Sequence, residues 1–188
     1  MKSHQRFPQA DKRIIGHQGY GLVQIFTGEG KGKTTAALGE IMRACGVGRK
    51  TAIVYFDKGG THYSERIILE RLGIPYVATG RDRVEAETGR FDFSVTTEDQ
   101  EEAKRGLQAA QDFFAQGCEV VVLDEINSCV ALEMVSVGEV LDLIQKKPEK
   151  VELILTGRHA PKALLDAAHL VSDVRMEKHY FYSGVKAR

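Results

Sequence analysis

Apolar residues along this chain fall into short continuous runs that alternate with segments in which every third or fourth residue is apolar. Continuous runs predict strands buried on both faces, and the wider spacing predicts amphipathic helices. Strands are predicted at 22–26, 51–56, 74–78, 119–123, 151–155 and 170–174. Helices are predicted at 33–45, 64–72 and 161–168, and also between residues 97 and 117 and between 136 and 148. This alternation predicts a three-layer α/β/α fold with a mostly parallel sheet of about six strands.

Local signals refine the ends of these helices. Thr97 with Gln100, and Ser136 with Glu139, have the spacing of capping boxes. Pro161 is suited to the first position of a helix, where its missing N–H group costs no hydrogen bond. We therefore expect the third, fourth and fifth of the predicted helices to begin at these positions.

Two regions depart from the pattern of strands and helices. Residues 1–20 are polar and are interrupted by Pro8, Gly16 and Gly19, so a loosely structured amino-terminal arm is predicted there. Residues 79–95 are irregular and rich in charge. Long loops in compact domains often carry function, and we expect this one to do so.

The amino-acid composition limits which binding partners and which cellular locations are expected for this chain. Lys and Arg total 26 and Asp and Glu total 26, so the net charge is zero and no attraction to nucleic acid or anionic membrane is expected. The longest strongly apolar run, 120–123, is far shorter than the roughly 20 residues that span a bilayer, and the polar amino terminus does not read as a secretory signal. The three cysteines form no C-x-x-C pair. A cytoplasmic protein is therefore expected.

A glycine-rich loop follows the first predicted strand and opens the first predicted helix. It ends in Gly32, Lys33 and Thr34, the last part of the phosphate-binding P-loop pattern, although Thr27 stands where that pattern begins with glycine. Such a loop turns backbone N–H groups toward a phosphate, beside the positive end of a helix dipole. The residues expected to bind ATP are Gly28, Glu29, Gly30, Lys31, Gly32, Lys33, Thr34 and Thr35. Residues 21–188 are therefore predicted to form a P-loop nucleotide-binding domain.

Two carboxylates end the apolar strand at 120–123. Asp124 and Glu125 have the position of a Walker B motif, which holds Mg²⁺ beside the phosphates. We expect Thr34, Asp124 and Glu125 to hold this ion. Glu125 has two interpretations: it orients an attacking water in an ATPase, or it helps to hold the metal in a transferase. The two motifs together predict binding of a Mg²⁺–nucleoside triphosphate complex and leave the reaction open.

An ordered set of segments resembles the ATP:corrinoid (cob(I)alamin) adenosyltransferases. The loop and helix start at 26–37 resemble the signature loop of that family, and further matching segments follow in the same order along nearly the whole folded chain. These segments are Phe56-Asp57-Lys58-Gly59, Glu65-Arg66 with Leu69-Glu70, Val122-Leu123-Asp124-Glu125, Leu155-Thr156-Gly157-Arg158, and Lys178-His179 with Gly184-Val185-Lys186-Ala187.

The resemblance implies a reaction in which no protein base is needed to make the nucleophile. In this family a corrinoid reduced to Co(I) is the nucleophile; it attacks the 5′ carbon of ATP and triphosphate leaves. Lys33, Thr34 and Glu125 are the implied catalytic residues, Lys58 is implied at the leaving group, and Arg43 at the nucleoside end of a nucleotide that lies reversed relative to most P-loop enzymes. The implied partners are ATP, Mg²⁺, a corrinoid, a flavoprotein reductase and a second copy of the chain.

The chain departs from the family pattern at the corrinoid side. Tyr55 stands where the family usually has Gln, and residues 81–83 read Arg-Asp-Arg where the family has aromatic residues that displace the lower axial ligand of cobalt. Two explanations are open. Phe91 or Phe93 supplies the aromatic wedge, or the enzyme prefers a corrinoid without a lower base and its arginines meet the corrinoid side chains. The second explanation predicts that cobinamide or a cobyrinic acid derivative reacts at least as well as cobalamin.

Three functions remain as competing hypotheses. The first is a corrinoid adenosyltransferase of adenosylcobalamin synthesis or salvage, which the ordered motifs favour. The second is an ATPase switch that uses Glu125 and signals to a protein partner through the loop at 79–95. The third is a carrier of a corrinoid or nucleotide without catalysis. Their products differ: triphosphate, diphosphate with phosphate, and none.

Overall fold

The computed structural model describes residues 21–83, 92 and 94–185, without the side chain of Phe181. The predicted arm at 1–20 and both candidate wedge residues, Phe91 and Phe93, lie outside the described residues. The strands are β1 Val23–Thr27, β2 Thr51–Tyr55, β3 Tyr76–Ala78, β4 Val120–Asp124, β5 Glu152–Thr156 and β6 Leu170–Asp173. The helices are α1 Lys33–Gly46, α2 Glu65–Leu72, α3 Thr97–Ala115, α4 Ile126–Ala131, α5 Val137–Lys146 and α6 Lys162–Ala167, followed by a 3₁₀ helix at Tyr180–Ser183.

The six strands form one sheet in the order β3-β2-β4-β5-β1-β6, and every neighbouring pair is parallel. In this register Tyr55 at the end of β2 lies opposite Asp124 at the end of β4. The predicted α/β/α fold with its six strands is confirmed. The parallel arrangement matters for function because it brings the loops that follow all six strands to one edge of the sheet.

Alternate side chains of β2 enter two different cores. Ile53 and Tyr55 of β2 lie in a buried cluster with α1 and α2 on one face of the sheet. Val54 and Phe56 lie in the larger cluster on the other face, with α3, α4, α5 and α6. This distribution is the consequence of the two-residue period of a strand, and it explains why the strand sequences are apolar at consecutive positions.

The predicted helix ends are partly confirmed. Ser136 and Glu139 form the capping box of α5. The capping box of α3 uses Thr96 and Asp99, so the prediction of Thr97 with Gln100 is wrong by one residue. Pro161 is the residue that precedes α6 rather than its first helical residue.

Within the described part of the chain, no helix is both long and apolar enough to cross a membrane.

Candidate active site at the carboxyl edge of the sheet

The predicted site residues other than Arg43 come together at the carboxyl edge of the sheet, in a cluster built from four chain segments. These segments are the glycine-rich loop after β1, residues 57–60 after β2, the pair Asp124 and Glu125 after β4, and residues 156–159 after β5. Hydrogen bonds and ion pairs join all four, as described below. The parallel sheet thus places in contact groups that are more than 100 residues apart in sequence.

The glycine-rich loop depends on glycine at more than one position. Gly28 has a φ angle of 98°, in the region that side chains rarely adopt. At Gly30, a Cβ atom would lie 2.6 Å from the carbonyl oxygen of Val174, which also accepts a 2.6 Å hydrogen bond from the Gly30 N–H group. The segment that follows β6 therefore supports the loop from outside, a contact that the sequence motif did not reveal.

Lys33 lies inside the curve of this loop. Its Nζ donates 2.7 Å hydrogen bonds to the carbonyl oxygens of Gly28 and Gly30, and the residue is buried. Burial lowers the pKa of Lys33, with a smaller opposite effect from the Glu125 carboxylate. The ammonium group is thus held inside the loop by two backbone carbonyl groups and is largely shielded from solvent.

Glu29 links the loop to the segment after β5. Its carboxylate lies 3.3 Å from Nε of Arg158 and 3.2 Å from Nε2 of His159. Lys31 in the same loop and Thr35 in the first turn of α1 are exposed. The side chain of Glu29 therefore fixes the loop, whereas those of Lys31 and Thr35 are accessible from solvent.

Lys58 is the centre of the polar cluster. Its Nζ lies 2.5 Å from Oδ2 of Asp124, 3.3 Å from Oγ1 of Thr34 and 3.7 Å from Oε1 of Glu125. Burial disfavours the charged lysine, but the two carboxylates outweigh this effect and raise its pKa. Lys58 is therefore a fixed cation at the point where the loop and the acidic strand end meet.

The two carboxylates are oriented by hydroxyl groups from the neighbouring segments. Asp124 is fully buried, and its Oδ1 accepts a 2.6 Å hydrogen bond from Thr156 Oγ1. Glu125 has a positive φ angle of 65°, and its Oε2 accepts a 2.6 Å bond from Ser128 Oγ. The sequence placed Thr156 in a segment that resembles the family but gave it no role, and it gave no sign of Ser128, because a hydroxyl residue inside a short helix has no distinctive signal.

The oxygen groups around Lys58 fit a Mg²⁺ site. Thr34 Oγ1 and Asp124 Oδ2 both contact the same ammonium group, so they converge on one small region, and both are the hard oxygen ligands that Mg²⁺ takes. No group of three or more His, Cys, Asp or Glu side chains able to hold a metal is found in the described residues. A Mg²⁺ ion here would therefore need phosphate oxygens and water as its remaining ligands.

Arg43 is the predicted site residue that lies apart from this cluster. Its side chain is 81% exposed on α1 and lies 3.5 Å from the carboxylate of Glu40, one turn away on the same helix. Among the described contacts, none joins Arg43 to the loop or to the acidic pair.

The arginines of the irregular loop are bound inside the protein. The Arg83 guanidinium contacts Asp57 at 2.5 Å and Asp99 at 3.2 Å, and its side chain is 2% exposed. Arg81 contacts Asp92 at 2.5 Å and Asp99 at 3.1 Å. The expectation that these arginines face a corrinoid is therefore wrong for Arg83, and Arg81 is also engaged. Both arginines instead tie the base of the loop to Asp99 at the start of α3, and Arg83 also ties it to Asp57 after β2.

The fold and this cluster define an α/β protein with a parallel sheet and a glycine-rich loop beside an acidic strand end. A solved structure with the same fold is the flagellar accessory protein FlaH from Methanocaldococcus jannaschii. The two chains superpose with a TM-score of 0.56 at 17% identity over 87% of this chain and 75% of the other. This likeness shows the fold alone.

Sequence comparison gives the family. Residues 19–188 match the family described as ATP:corrinoid adenosyltransferase BtuR/CobO/CobP. The corrinoid adenosyltransferase of Escherichia coli (strain K12) is 36% identical over 170 residues, which are 89% of this chain and 83% of that protein. The corrinoid adenosyltransferase CobA of Salmonella typhimurium (strain LT2) gives the same values. The chain belongs to the ATP:corrinoid adenosyltransferase family, and its class of activity is that of a transferase. The resemblance found in the sequence is confirmed, and the ATPase switch is not favoured.

Proposed function

We propose that this chain transfers the 5′-deoxyadenosyl group of ATP to the cobalt of a Co(I) corrinoid, in the synthesis or salvage of adenosylcobalamin. The cobalt supplies the electron pair for the new cobalt–carbon bond. The bond between C5′ and its oxygen breaks, and that oxygen leaves with its electron pair as part of triphosphate. The observation that carries the proposal is the cluster of Lys58, Asp124 and Thr34 beside Lys33, within a chain that belongs to this family.

The cations of the site match the demand of this reaction. Negative charge grows on the leaving triphosphate, and fixed cations in a largely dry site stabilise such charge more than in water. Lys33 is buried within the glycine-rich loop, and the side chain of Lys58 is 14% exposed. In this proposal Lys33 and Lys58 hold the triphosphate, while the backbone N–H groups of the loop orient it. Mg²⁺ held by Thr34, Asp124 and Glu125 would supply further neutralisation of the phosphates.

The geometry of Glu125 gives no support to a hydrolytic role. Its carboxylate accepts a short hydrogen bond from Ser128 and faces the Lys58 ammonium. These contacts engage both oxygens of the carboxylate, Oε2 with Ser128 and Oε1 with Lys58, and the proposed reaction needs no protein base. We therefore assign Glu125 to the metal and to the orientation of Lys58.

Further parts of the proposal rest on the family resemblance. The exposed Arg43 is assigned to the nucleoside end of ATP, and Glu29, Lys31 and Thr35 to the loop around the triphosphate. Residues 21–188 are taken as the nucleotide-binding domain and 1–20 as an arm. A homodimer, a cytoplasmic location and a flavoprotein that supplies the electrons for Co(I) complete the proposal.

The test is a binding and turnover assay with two lysine variants. Lys33→Ala removes the charge and both loop contacts, so MgATP affinity should fall by about 100-fold while the fold persists. Lys146→Ala is the matched control, since Lys146 is 69% exposed at the end of α5 that leads into β5, at the edge of the sheet opposite to the loop. Equal MgATP affinity in the folded Lys33→Ala protein and the control would reject the assignment of the loop.

A further inference from the structure

We propose that Arg66 is a positioning residue that fixes the main chain of residues 58–60 and thereby holds the Lys58 ammonium group at Thr34 and Asp124. The inference rests on the proposed function, because it takes Lys58 as a ligand of the triphosphate. Arg66 itself lies in the first turn of α2 and, within the described residues, makes no contact with the glycine-rich loop.

The contact between Arg66 and this segment uses both terminal nitrogens of the guanidinium group. Nη1 donates a 2.7 Å hydrogen bond to the carbonyl oxygen of Gly60, and Nη2 donates a short hydrogen bond to the carbonyl oxygen of Lys58 itself. The two carbonyls are two residues apart, so one rigid, planar group spans the turn. We call these two hydrogen bonds the Arg66 fork. A lysine at this position has a single nitrogen on a flexible side chain and cannot donate both bonds in fixed directions.

Three tyrosine rings surround the guanidinium group. Its central carbon lies 4.6 Å from the ring centre of Tyr63, 5.0 Å from that of Tyr55 and 5.8 Å from that of Tyr76. Arg66 is 8% exposed, and no carboxylate of the described residues forms an ion pair with it. Aromatic faces attract a cation but allow it no hydrogen bonds, so the two carbonyls determine how the buried guanidinium is oriented.

The segment that carries Lys58 is held at its other points by the ion pair between Arg83 and Asp57 and by close packing of Gly59 on the backbone of Gly80. It joins β2 to α2 without regular structure, and its Lys58 N–H group donates a 2.8 Å hydrogen bond to the carbonyl oxygen of Thr79. Asp57, one residue earlier, has a positive φ angle of 52°. A non-glycine residue persists in this region only where its surroundings hold it there. The Arg66 fork is the contact that fixes the carbonyl side of Lys58.

The position of this backbone decides what Lys58 can reach. The lysine side chain has four rotatable bonds, so its ammonium group can point in many directions unless the backbone of Lys58 is fixed. In the structure the Nζ of Lys58 lies 2.5 Å from Oδ2 of Asp124. Asp124 ends the neighbouring strand β4 and is 66 residues later in the chain. Loss of the two hydrogen bonds from Arg66 should therefore weaken triphosphate binding because Lys58 is displaced, and not because the hydrophobic core is disturbed.

A double-mutant cycle tests this coupling. MgATP affinity is measured by calorimetry for the full-length wild-type chain, Arg66→Lys, Lys58→Met and the double variant. We expect Arg66→Lys and Lys58→Met each to weaken binding by about 10-fold, and the double variant to be within about 2-fold of Lys58→Met alone. The non-additivity is the decisive result, because a merely structural role of Arg66 gives effects that multiply.

Controls separate the coupling from unfolding and from the proposed function. Arg71→Lys, on the last turn of α2 where the residue is exposed, should leave affinity unchanged. Urea unfolding of each variant establishes that the fold is retained. Multiplicative losses, an unchanged affinity in Arg66→Lys, or an unchanged affinity in Lys58→Met each overturn the inference. If the cycle shows coupling but the wild type forms no cobalt–carbon bond, the proposed function fails while the positioning role stands.

Discussion

Replacement of Arg83 by methionine tests the buried ionic network at the base of the irregular loop. Methionine keeps a long, flexible side chain of similar reach but removes the charge and all five donors. The guanidinium group contacts Asp57 at 2.5 Å and Asp99 at 3.2 Å, and it donates to the carbonyl oxygens of Asp92 and Ser94 at 3.0 and 2.6 Å. The change therefore leaves two carboxylates and two carbonyl groups without this partner.

The burial of these groups determines the magnitude. The side chains of Arg83, Asp57 and Asp99 are 2%, 13% and 1% exposed, so water can replace the lost contacts only in part. Removal of one partner from a buried ion pair typically costs about 3–5 kcal/mol. For a chain of this size, such a loss corresponds to a decrease of about 6–20 °C in the midpoint of thermal unfolding.

Urea unfolding followed by circular dichroism measures this effect. Arg81→Met is the matched comparison, since the side chain of Arg81 is 26% exposed, and its loss of stability should be clearly smaller. Asp57→Asn in the Arg83→Met background should recover part of the loss, because Asp57 has no other ion-pair partner among the described residues and its unpaired charge is then removed. A loss below about 1 kcal/mol for Arg83→Met, in the range of an exposed ion pair, would contradict this account.

Three further predictions address the loop, the pH dependence and the metal. Gly30→Ala should weaken MgATP binding by about 10-fold or more, because the added methyl group would lie 2.6 Å from the carbonyl oxygen of Val174; unchanged affinity by calorimetry would contradict the described loop contact. Burial disfavours the charged form of Asp99, but hydrogen bonds from Thr96 and Arg81 outweigh this effect and hold the pKa of Asp99 below 3.8. A carboxylate whose pKa is lowered by folding stabilises the fold at pH values above its pKa in the unfolded chain. The stability should therefore fall as the pH decreases below about 4, and Asp99→Asn should flatten this slope in urea titrations. EDTA should abolish adenosyl transfer and excess Mg²⁺ should restore it; full activity in EDTA would reject the metal site.

The glycine-rich loop and the acidic strand end could be predicted from sequence because each is a local pattern. Gly32, Lys33 and Thr34 follow a strand and open a helix, and the structure retains this order. The position of Lys58 could be reached only through the family resemblance. Its contacts with Thr34 and Asp124 span 24 and 66 residues, and no local spacing encodes them.

The role of Arg83 could not be predicted, because charged residues in an irregular segment usually face solvent. Its partners Asp57 and Asp99 are 26 and 16 residues away and belong to different elements of the fold. Helix α3 does begin at Thr97, but its capping residue is Thr96 and not Thr97, for a simpler reason. Thr96 with Asp99 and Thr97 with Gln100 have the same spacing, and only the backbone conformation of Thr96, extended at φ −116° and ψ 168°, distinguishes them.

Helix α4 was missed because it is short and begins without a side-chain cap. It has six residues, and Glu125, which precedes it, has a left-handed backbone conformation. A helix that starts directly after a buried strand looks like a continuation of that strand in a pattern of apolar residues. Its Ser128 hydroxyl nevertheless donates a hydrogen bond to Glu125, and this contact could not be predicted without the helix.

Product analysis of the wild-type protein tests the central claim most directly. The full chain is incubated with MgATP and a corrinoid that has been chemically reduced to Co(I). The corrinoid is followed by its absorption spectrum, and the phosphate products are separated by ion-exchange chromatography. The account predicts one triphosphate for each cobalt–carbon bond formed, with the yield strongly reduced in Lys33→Ala and unchanged in Lys146→Ala. Diphosphate and phosphate in place of triphosphate, with an unchanged corrinoid spectrum, would contradict it.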